Sequence, residues 1–474
     1  MELLSPAGNV QKLRYCYAYG ADAAYIGLKN FSLRVKADNF YEDEYVKVLE
    51  LKSRFPNKKL HCALNISFHN EEIERFKSEI PYFKKYPIDA FIVQDLGLIP
   101  ILQKEFPSCA LHLSTQASCM NKEAVKMYRS LGFSRIVMGR EASLKEIAEI
   151  KSAVPEMEIE CFVHGAMCIA YAGRCLMSAY LNGRSAQEGF CSHTCRWEYD
   201  VMLDSSALAQ SGNLALREHK RPDEYFPIYE GDNFTAVLSS KDLCMIEHLN
   251  DLKLAGVDSL KIEGRMKSAY YVATITRAYR KALDALEGKI SAEEANPFVE
   301  ELYKVSHRPF STGFYYGRAE ADIAASGASE SSYDISAEIE ELLTEDEKNA
   351  ILQKANELSK ARKREYDSLV PQAKAAFDRN IKNNPDRFLP TTENHNTWQM
   401  YSLKVLNMID SETELELVSP NCASVILNKN DYRLVNTATG EEYNWVCADH
   451  SCVLYTSVCV QEYSLLRAKC KRKI

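Results

Sequence analysis

Residues 158–199 read EIECFVHGAMCIAYAGRCLMSAYLNGRSAQEGFCSHTCRWEY. The head of this stretch, Ile159–Val163, is a short, largely apolar run that ends in His164-Gly165 and reads as a buried strand. The remainder is rich in Gly, Ser, Ala and Arg and reads as a loop with short helical turns. That loop carries Cys168, Cys175, Cys191 and Cys195 in a C-x6-C-x15-C-x3-C spacing. Thiolates on irregular backbone beside a strand end are what a soft metal centre needs.

The run at Ile159–Gly165 is one of eight. The others are Leu3–Pro6, Ala23–Leu28, Leu60–Asn65, Ala90–Asp95, Leu111–Gln116, Arg135–Arg140 and Ser259–Arg265. Helical patterns separate them, among them Val10–Tyr19, Glu71–Tyr82, Ala124–Leu131 and Ser143–Ala153. Strand–helix repetition at this pitch builds a parallel sheet. Eight repeats, with no Gly-rich dinucleotide fingerprint after the first strand, predict an α/β fold of the closed (β/α)8, TIM-like kind over an open doubly wound sheet. Active sites of such barrels lie at the C-terminal strand ends. The polar residues closing the runs are therefore candidates: Asn65, Asp95, Gln116, Arg140, His164, Glu263 and Arg265. Some polar strand ends simply meet solvent. The cysteine loop leaves the seventh strand on this same face.

The chain has 474 residues, 46% hydrophobic and 26% charged, with a net charge of -8. That length predicts two or three domains. No apolar run of about 18 residues occurs, and MELLSPAG is no signal peptide, so no membrane contact and a cytoplasmic location are expected. The negative charge means that a nucleic-acid contact has to come from a local basic patch. Fifteen cysteines without a secretion signal point to metal or redox work before disulfides. Cys16, Cys62, Cys109, Cys161 and Cys244 lie in apolar segments and read as small buried hydrophobes.

Residues 1–317 are assigned to the barrel, with the cysteine segment 158–199 inserted in it. An insertion from roughly Asp200 to Asn250 has short strands expected at Val201–Leu203 and Thr235–Ser240, joined by loop. Tyr270–Leu286 reads as the closing helix, and Ser306–Gly317 as an aromatic, Gly-punctuated boundary. Residues 318–390 form a linker and a charged helical segment, helical from 336 to 384; its mixed charges read first as solvated faces and second as an RNA contact. Residues 391–474 suggest a small β domain, and the basic tail Arg467–Ile474 reads as a phosphate contact or a frayed terminus.

Spacing leaves three readings of the four cysteines. Structural zinc normally shows paired C-x2-4-C knuckles, and only Cys191-x3-Cys195 comes close. A catalytic thiol needs one cysteine with a committed His. An iron-sulfur cluster needs four thiolates and tolerates long, uneven spacing.

At these residues the sequence resembles peptidase family U32, the collagenase-like proteins. The motif Glu160-x-Phe162-x2-Gly165-Ala166-Met167-Cys168-x4-Gly173-x-Cys175-x-Met177-Ser178 carries the likeness. Leu4–Asn9, Gly20–Gly27, Ser114–Ala117 with Asn121, Ser239–Leu243 and Lys261–Arg265 extend it over about the first 317 residues. The resemblance implies a [4Fe-4S] cluster held by Cys168, Cys175, Cys191 and Cys195. It also implies oxygen-independent hydroxylation of RNA or a quinone precursor, with prephenate as hydroxyl source in the RNA-acting members. Cys191-x3-Cys195-Arg196-Trp197-x-Tyr199 and Lys261–Ser268 are similar to the tRNA-hydroxylating subgroup, which makes 5-hydroxyuridine at the wobble position. The expected partners are tRNA and prephenate, with an electron or cluster donor as a further candidate. The alternatives are a collagenase-like peptidase and a hydroxylase of another RNA or of a quinone precursor. No Ser-His-Asp grouping stands out for peptidase chemistry, and no His-Glu-x-x-His occurs. His164, Gln116 and Glu263 are the candidate catalytic residues; Arg34, Asn65, Arg140 and Arg265 are the candidate substrate-binding residues, since Arg grips carboxylates bidentately. The C-terminal third departs from the family's pattern: the helical segment comes first, and the β region after it carries Cys422, Cys447, Cys452 and Cys459.

Overall fold

In a computed structural model the chain divides into two compact units, Met1–Ser331 and Ser332–Lys473. The structure describes every residue except 30, 34–38, 169, 172–174, 179–190, 193–194, 196–214, 218–224, 228, 231–234, 237–239, 318–328, 330, 384–392, 396, 411–412 and 471–474.

The first unit is a closed parallel barrel. Its strands are β1 (Glu2–Pro6), β2 (Ala23–Ile26), β3 (Lys59–Leu64), β4 (Ala90–Val93), β5 (Ala110–Leu113), β6 (Arg135–Val137) and β7 (Glu158–Ala166). After β7 come two antiparallel hairpins, β8 (Ala215–Arg217) with β9 (Tyr225–Pro227) and β10 (Tyr229–Glu230) with β11 (Thr235–Ala236). The first hairpin lies where loop was expected; Val201–Leu203 lie outside the described residues. Strands β12 (Asp242–Cys244), β13 (Ser259–Ile262) and β14 (Phe310–Ser311) follow. Strand β13 pairs in parallel with both β1 and β7, which closes an eight-stranded ring. All eight expected runs are strands of this ring.

Helices α1 (Val10–Ala18), α2 (Glu44–Arg54), α3 (Asn70–Phe83), α4 (Ile99–Glu105), α5 (Lys122–Ser130), α6 (Leu144–Ala153) and α7 (Leu249–Leu254) connect the strands. The closing helix α8 (Ala269–Leu286) is followed by α9 (Ala292–Glu300). Strands such as Ala90–Val93 are buried along their whole length, as parallel strands covered by helices must be.

Strand β7 outruns the barrel. Its last residues pair antiparallel with β12, Cys244 opposite His164 and Asp242 opposite Ala166, and β14 adds beyond β12. The buried Asp242–Arg308 pair fastens this extension: Asp242 Oδ1 accepts from Arg308 Nη2 at 2.7 Å and Oδ2 from the Arg308 backbone N–H at 3.0 Å.

The second unit is a seven-stranded sheet. Strand β15 (Tyr333–Leu342) precedes helices α10 (Glu345–Ser368) and α11 (Pro371–Asn383). Then come β16 (Gln399–Val405), β17 (Ile409–Asp410), β18 (Leu415–Val418), β19 (Val425–Leu427), β20 (Tyr432–Asn436), β21 (Trp445–Val446), β22 (Cys452–Thr456) and β23 (Leu465–Lys469). The sheet order is β19-β18-β23-β15-β16-β22-β20. Two expectations are corrected here. Residues 336–342 belong to a strand and not to the helical segment, because β15 lies between β23 and β16. Arg467 is no part of a free tail: it is fully buried in β23, bonded to Glu416 and set over the Tyr333 ring at 4.6 Å.

Candidate active site

The barrel interior is charged. Inward residues of the strands include Glu2, Tyr25, His61, His112, Arg135, Glu160, Phe162 and Lys261. Arg135 bonds Glu2 and reaches Glu160 at 2.9 Å and Glu158 at 2.7 Å; Lys261 Nζ donates to Glu160 Oε1 at 2.7 Å. Burial alone would raise the Glu160 carboxyl, but Lys261 and Arg135 outweigh it and hold it at about 2. Burial pushes the His61 imidazole down to about 4 and holds His112 well below its ordinary value. Their rings meet edge to face at 4.8 Å.

Contact to contact, this network continues toward the C-terminal strand ends. Lys261 Nζ lies 4.7 Å from the Tyr25 ring centre and 5.5 Å from that of Phe162. The other partner of the Phe162 ring is the Arg140 guanidinium, at 3.9 Å. Arg140 Nη2 in turn faces Glu263 Oε2 at 3.7 Å, a loose pair in which both side chains are largely covered. Glu263 is held by its backbone, its N–H donating to the His164 carbonyl at 2.9 Å and its carbonyl accepting from Tyr271 at 3.1 Å. On neighbouring strand ends, Asn65 Nδ2 donates to Gln116 Oε1 at 3.2 Å, and the Ser114 hydroxyl donates to the same oxygen. Asn65 Oδ1 accepts from the Leu33 backbone N–H at 3.1 Å. Asn65 with Gln116, and Arg140 with Glu263, are thus two linked pairs among the expected residues.

Other expected residues are placed elsewhere. Asp95 caps the turn at Leu96–Leu98, accepting from the backbone N–H groups of Gly97 (2.9 Å) and Phe68 (3.2 Å). Arg265 is buried, with Nη2 donating to Ser32 Oγ at 2.6 Å and Asn39 Oδ1 at 3.1 Å, so it ties the loop after β2 to the end of β13. Arg34 lies outside the described residues.

His164 is the main correction. Alternation from Glu160 and Phe162 would point it inward. The register against β13 slips between Lys261, opposite Phe162, and Ile262, opposite His164, and this bulge turns the histidine to the outer face. There its ring, 1% exposed, meets Tyr271 at 6.0 Å, Tyr279 at 5.6 Å and Phe310 at 5.3 Å. Burial pushes its imidazole down to about 3, so it is neutral. Gly165 follows at φ +107°, where a Cβ would stand 2.6 Å from the Glu263 carbonyl oxygen. Phe162 and Lys261 are not among the site residues expected from the sequence. The available signal was a pair of opposite charges, Glu160 and Lys261, inside otherwise apolar strands.

The cysteine loop leaves the end of β7, with Cys168 two residues past it. Its root is clamped where Ser240 Oγ donates to the Met167 carbonyl at 2.9 Å, and Cys168 beyond it is exposed. Farther on, Ser178, fully buried, bonds Ser192 Oγ at 2.8 Å and accepts from the Ser192 backbone N–H at 3.0 Å. These bonds join the arm of Cys175 to the arm of Cys191. Cys175, Cys191 and Cys195 are partly buried. Four cysteine sulfurs, two of their arms tied together, fit the donor chemistry of an iron-sulfur group. Among the described residues, no three His, Cys, Asp or Glu groups stand gathered in metal-holding geometry. No described helix is long and apolar enough to cross a membrane.

The model of peptidase family U32 matches residues 8–324, and the chain belongs to that family. The chain is 38% identical over 343 residues to tRNA hydroxylation protein P of Escherichia coli (strain K12), covering 66% of this chain and 74% of the relative. It is 35% identical over 332 residues to the 23S rRNA 5-hydroxycytidine C2501 synthase of the same organism, covering 69% of this chain and 46% of that one. A solved U32 peptidase structure aligns with 56% of this chain and 95% of its own at 11% identity and a TM-score of 0.35.

Proposed function

We propose that this protein hydroxylates tRNA, forming 5-hydroxyuridine at the wobble position with prephenate as hydroxyl donor. The observation that carries this reading is the likeness to a tRNA hydroxylation protein along two thirds of the chain. Cys168, Cys175, Cys191 and Cys195 would hold a [4Fe-4S] cluster, which supplies redox chemistry when bound. Arg140 would take a carboxylate of prephenate. Its contact with Glu263 is loose enough to exchange, and the Phe162 face beneath it keeps the guanidinium oriented when Glu263 lets go. Glu263 then stands as a base beside the substrate. Gln116, its oxygen engaged by Asn65 and Ser114, retains its amide NH2 to donate to a uracil carbonyl. His164 has no part in proton transfer on this reading, because its ring is enclosed by aromatic side chains.

The test is nucleoside mass spectrometry of tRNA from a strain lacking this protein and its paralogues, complemented with wild type or with Cys168→Ala. The expected result is loss of 5-hydroxyuridine-type nucleosides, restored by wild type alone. Unchanged nucleosides in the deletion strain would refute the assignment.

A further inference from the structure

We propose that the distal half of the α10–α11 hairpin is an arm that grips RNA phosphates. Helix α10 has 24 residues and spans about 36 Å. It starts from a capping box, the Thr344 hydroxyl and the Glu347 carboxylate each meeting the other's backbone N–H. Its apolar packing on the sheet is made by its first turns, where Ile351 and Leu352 join Trp398, Met400, Val435, Val453 and Tyr455. Gly440, at φ +77°, allows that docking: a Cβ there would stand 2.5 Å from the Ala355 backbone nitrogen. From Asn356 to Arg379 no residue is buried. The hairpin holds itself together there, the Tyr366 ring meeting Phe377 at 5.6 Å and its hydroxyl donating to Asp378 at 3.2 Å.

This self-supported half is basic. Residues 356–382 contain seven Lys or Arg against four Asp or Glu, in a chain whose net charge is -8. Arg362 is engaged with Glu441 and Lys374 with the Tyr366 ring and the Asp367 carbonyl. Lys360, Lys363 and Arg364 differ. They are exposed, lie on one helix face at i, i+3 and i+4, and have no ion pair or side-chain hydrogen bond among the described residues. Like charges at this spacing repel by a few tenths of a kcal/mol, so the helix alone gains nothing by clustering them. A polyanion neutralises them. The choice of RNA as that polyanion rests on the RNA-modifying reading above; an acidic protein surface is the rival.

The test measures binding of full-length protein to a tRNA transcript and to poly-U RNA, from roughly 50 to 200 mM salt, where phosphate contacts are read. Wild type is compared with Lys360→Gln/Lys363→Gln/Arg364→Gln and with Lys360→Arg/Lys363→Arg. The Gln variant should lose about tenfold or more in affinity, and its log–log salt slope should shrink by about two, near 0.7 per lost contact. The Arg variant should bind as wild type does. Circular dichroism and melting should stay unchanged in both, because these side chains support no packing. Equal affinity and slope for the Gln variant and wild type would overturn the inference and favour a protein partner. Wild type that binds neither RNA at low salt would overturn it as well. Hairpin-dependent RNA binding without any tRNA hydroxylation keeps this inference and removes the functional reading instead.

Discussion

Arg140 and Arg265 show how two arginines from neighbouring strand ends come to different roles. Both follow apolar strands and both suit a dianionic ligand by charge. Arg140 rests on Phe162 with a 3.7 Å partner, while Arg265 is fixed to Ser32 and Asn39. Exchange is available to the first and not to the second. On the proposed reading, Arg140→Lys should therefore raise KM for prephenate by about tenfold or more while kcat falls less, since Lys lacks the planar fork. Arg265→Ala should instead lower the melting temperature, because it leaves Ser32 and Asn39 without their buried partner, a loss on the order of 1–3 kcal/mol. Steady-state kinetics and thermal melts separate the two, and an unchanged KM for Arg140→Lys would remove the pocket assignment. His164 belongs at this scale too. Its position in the chain was legible, but its direction depended on one extra residue in β7.

Among the elements, the cysteine segment depends on its neighbours for shape. The Ser240 bond sets its root and the Ser178–Ser192 pair joins two of its arms. Ser178→Ala removes both bonds between those arms. On the proposed iron-sulfur reading, anaerobically purified Ser178→Ala protein should carry well under half the wild-type iron and the corresponding brown colour, at unchanged far-UV dichroism; full iron content would show that the tether is not needed. Strand β15, too, is set by its neighbours. Its sequence YDISAEIEEL carries four acids and continues into a helical pattern, so its local signal is helical. Its paired residues in β16 and β23 lie 59 residues or more downstream, and no local window contains them.

Over the whole barrel, the buried charges couple stability to pH. His61, His112 and His164 sit below the unfolded histidine value near ~6.5, His61 at about 4 and His164 at about 3. In that window the unfolded chain binds more protons than the folded one, so stability falls as pH falls below about 6.5. Glu2 and Glu160, held at about 2 chiefly against their own burial by Arg135 and Lys261, add a second loss as pH drops from about 4.3 toward 2. Amide exchange of peptides from β1, β6 and β7, corrected for intrinsic rates, should therefore speed up between about pH 6.5 and 4.5. Protection that is constant over that range would contradict the buried neutral histidines. Glu160→Gln should destabilise the barrel by about 3–5 kcal/mol, since it leaves Lys261 and Arg135 short of a counter-charge.

The sequence by itself determined the eight strands, their parallel order and the segment that bears four thiols. Each of these is written in local periodicity and in the bare identity of side chains. Tertiary structure alone decided that His164 faces outward, that Arg265 is a tie while Arg140 is only loosely paired with Glu263, and that residues 333–342 pair inside a sheet. Those outcomes rest on a bulge, on partners far apart in the chain and on how firmly each arginine is held by its polar neighbours. None of these is a property of any short stretch.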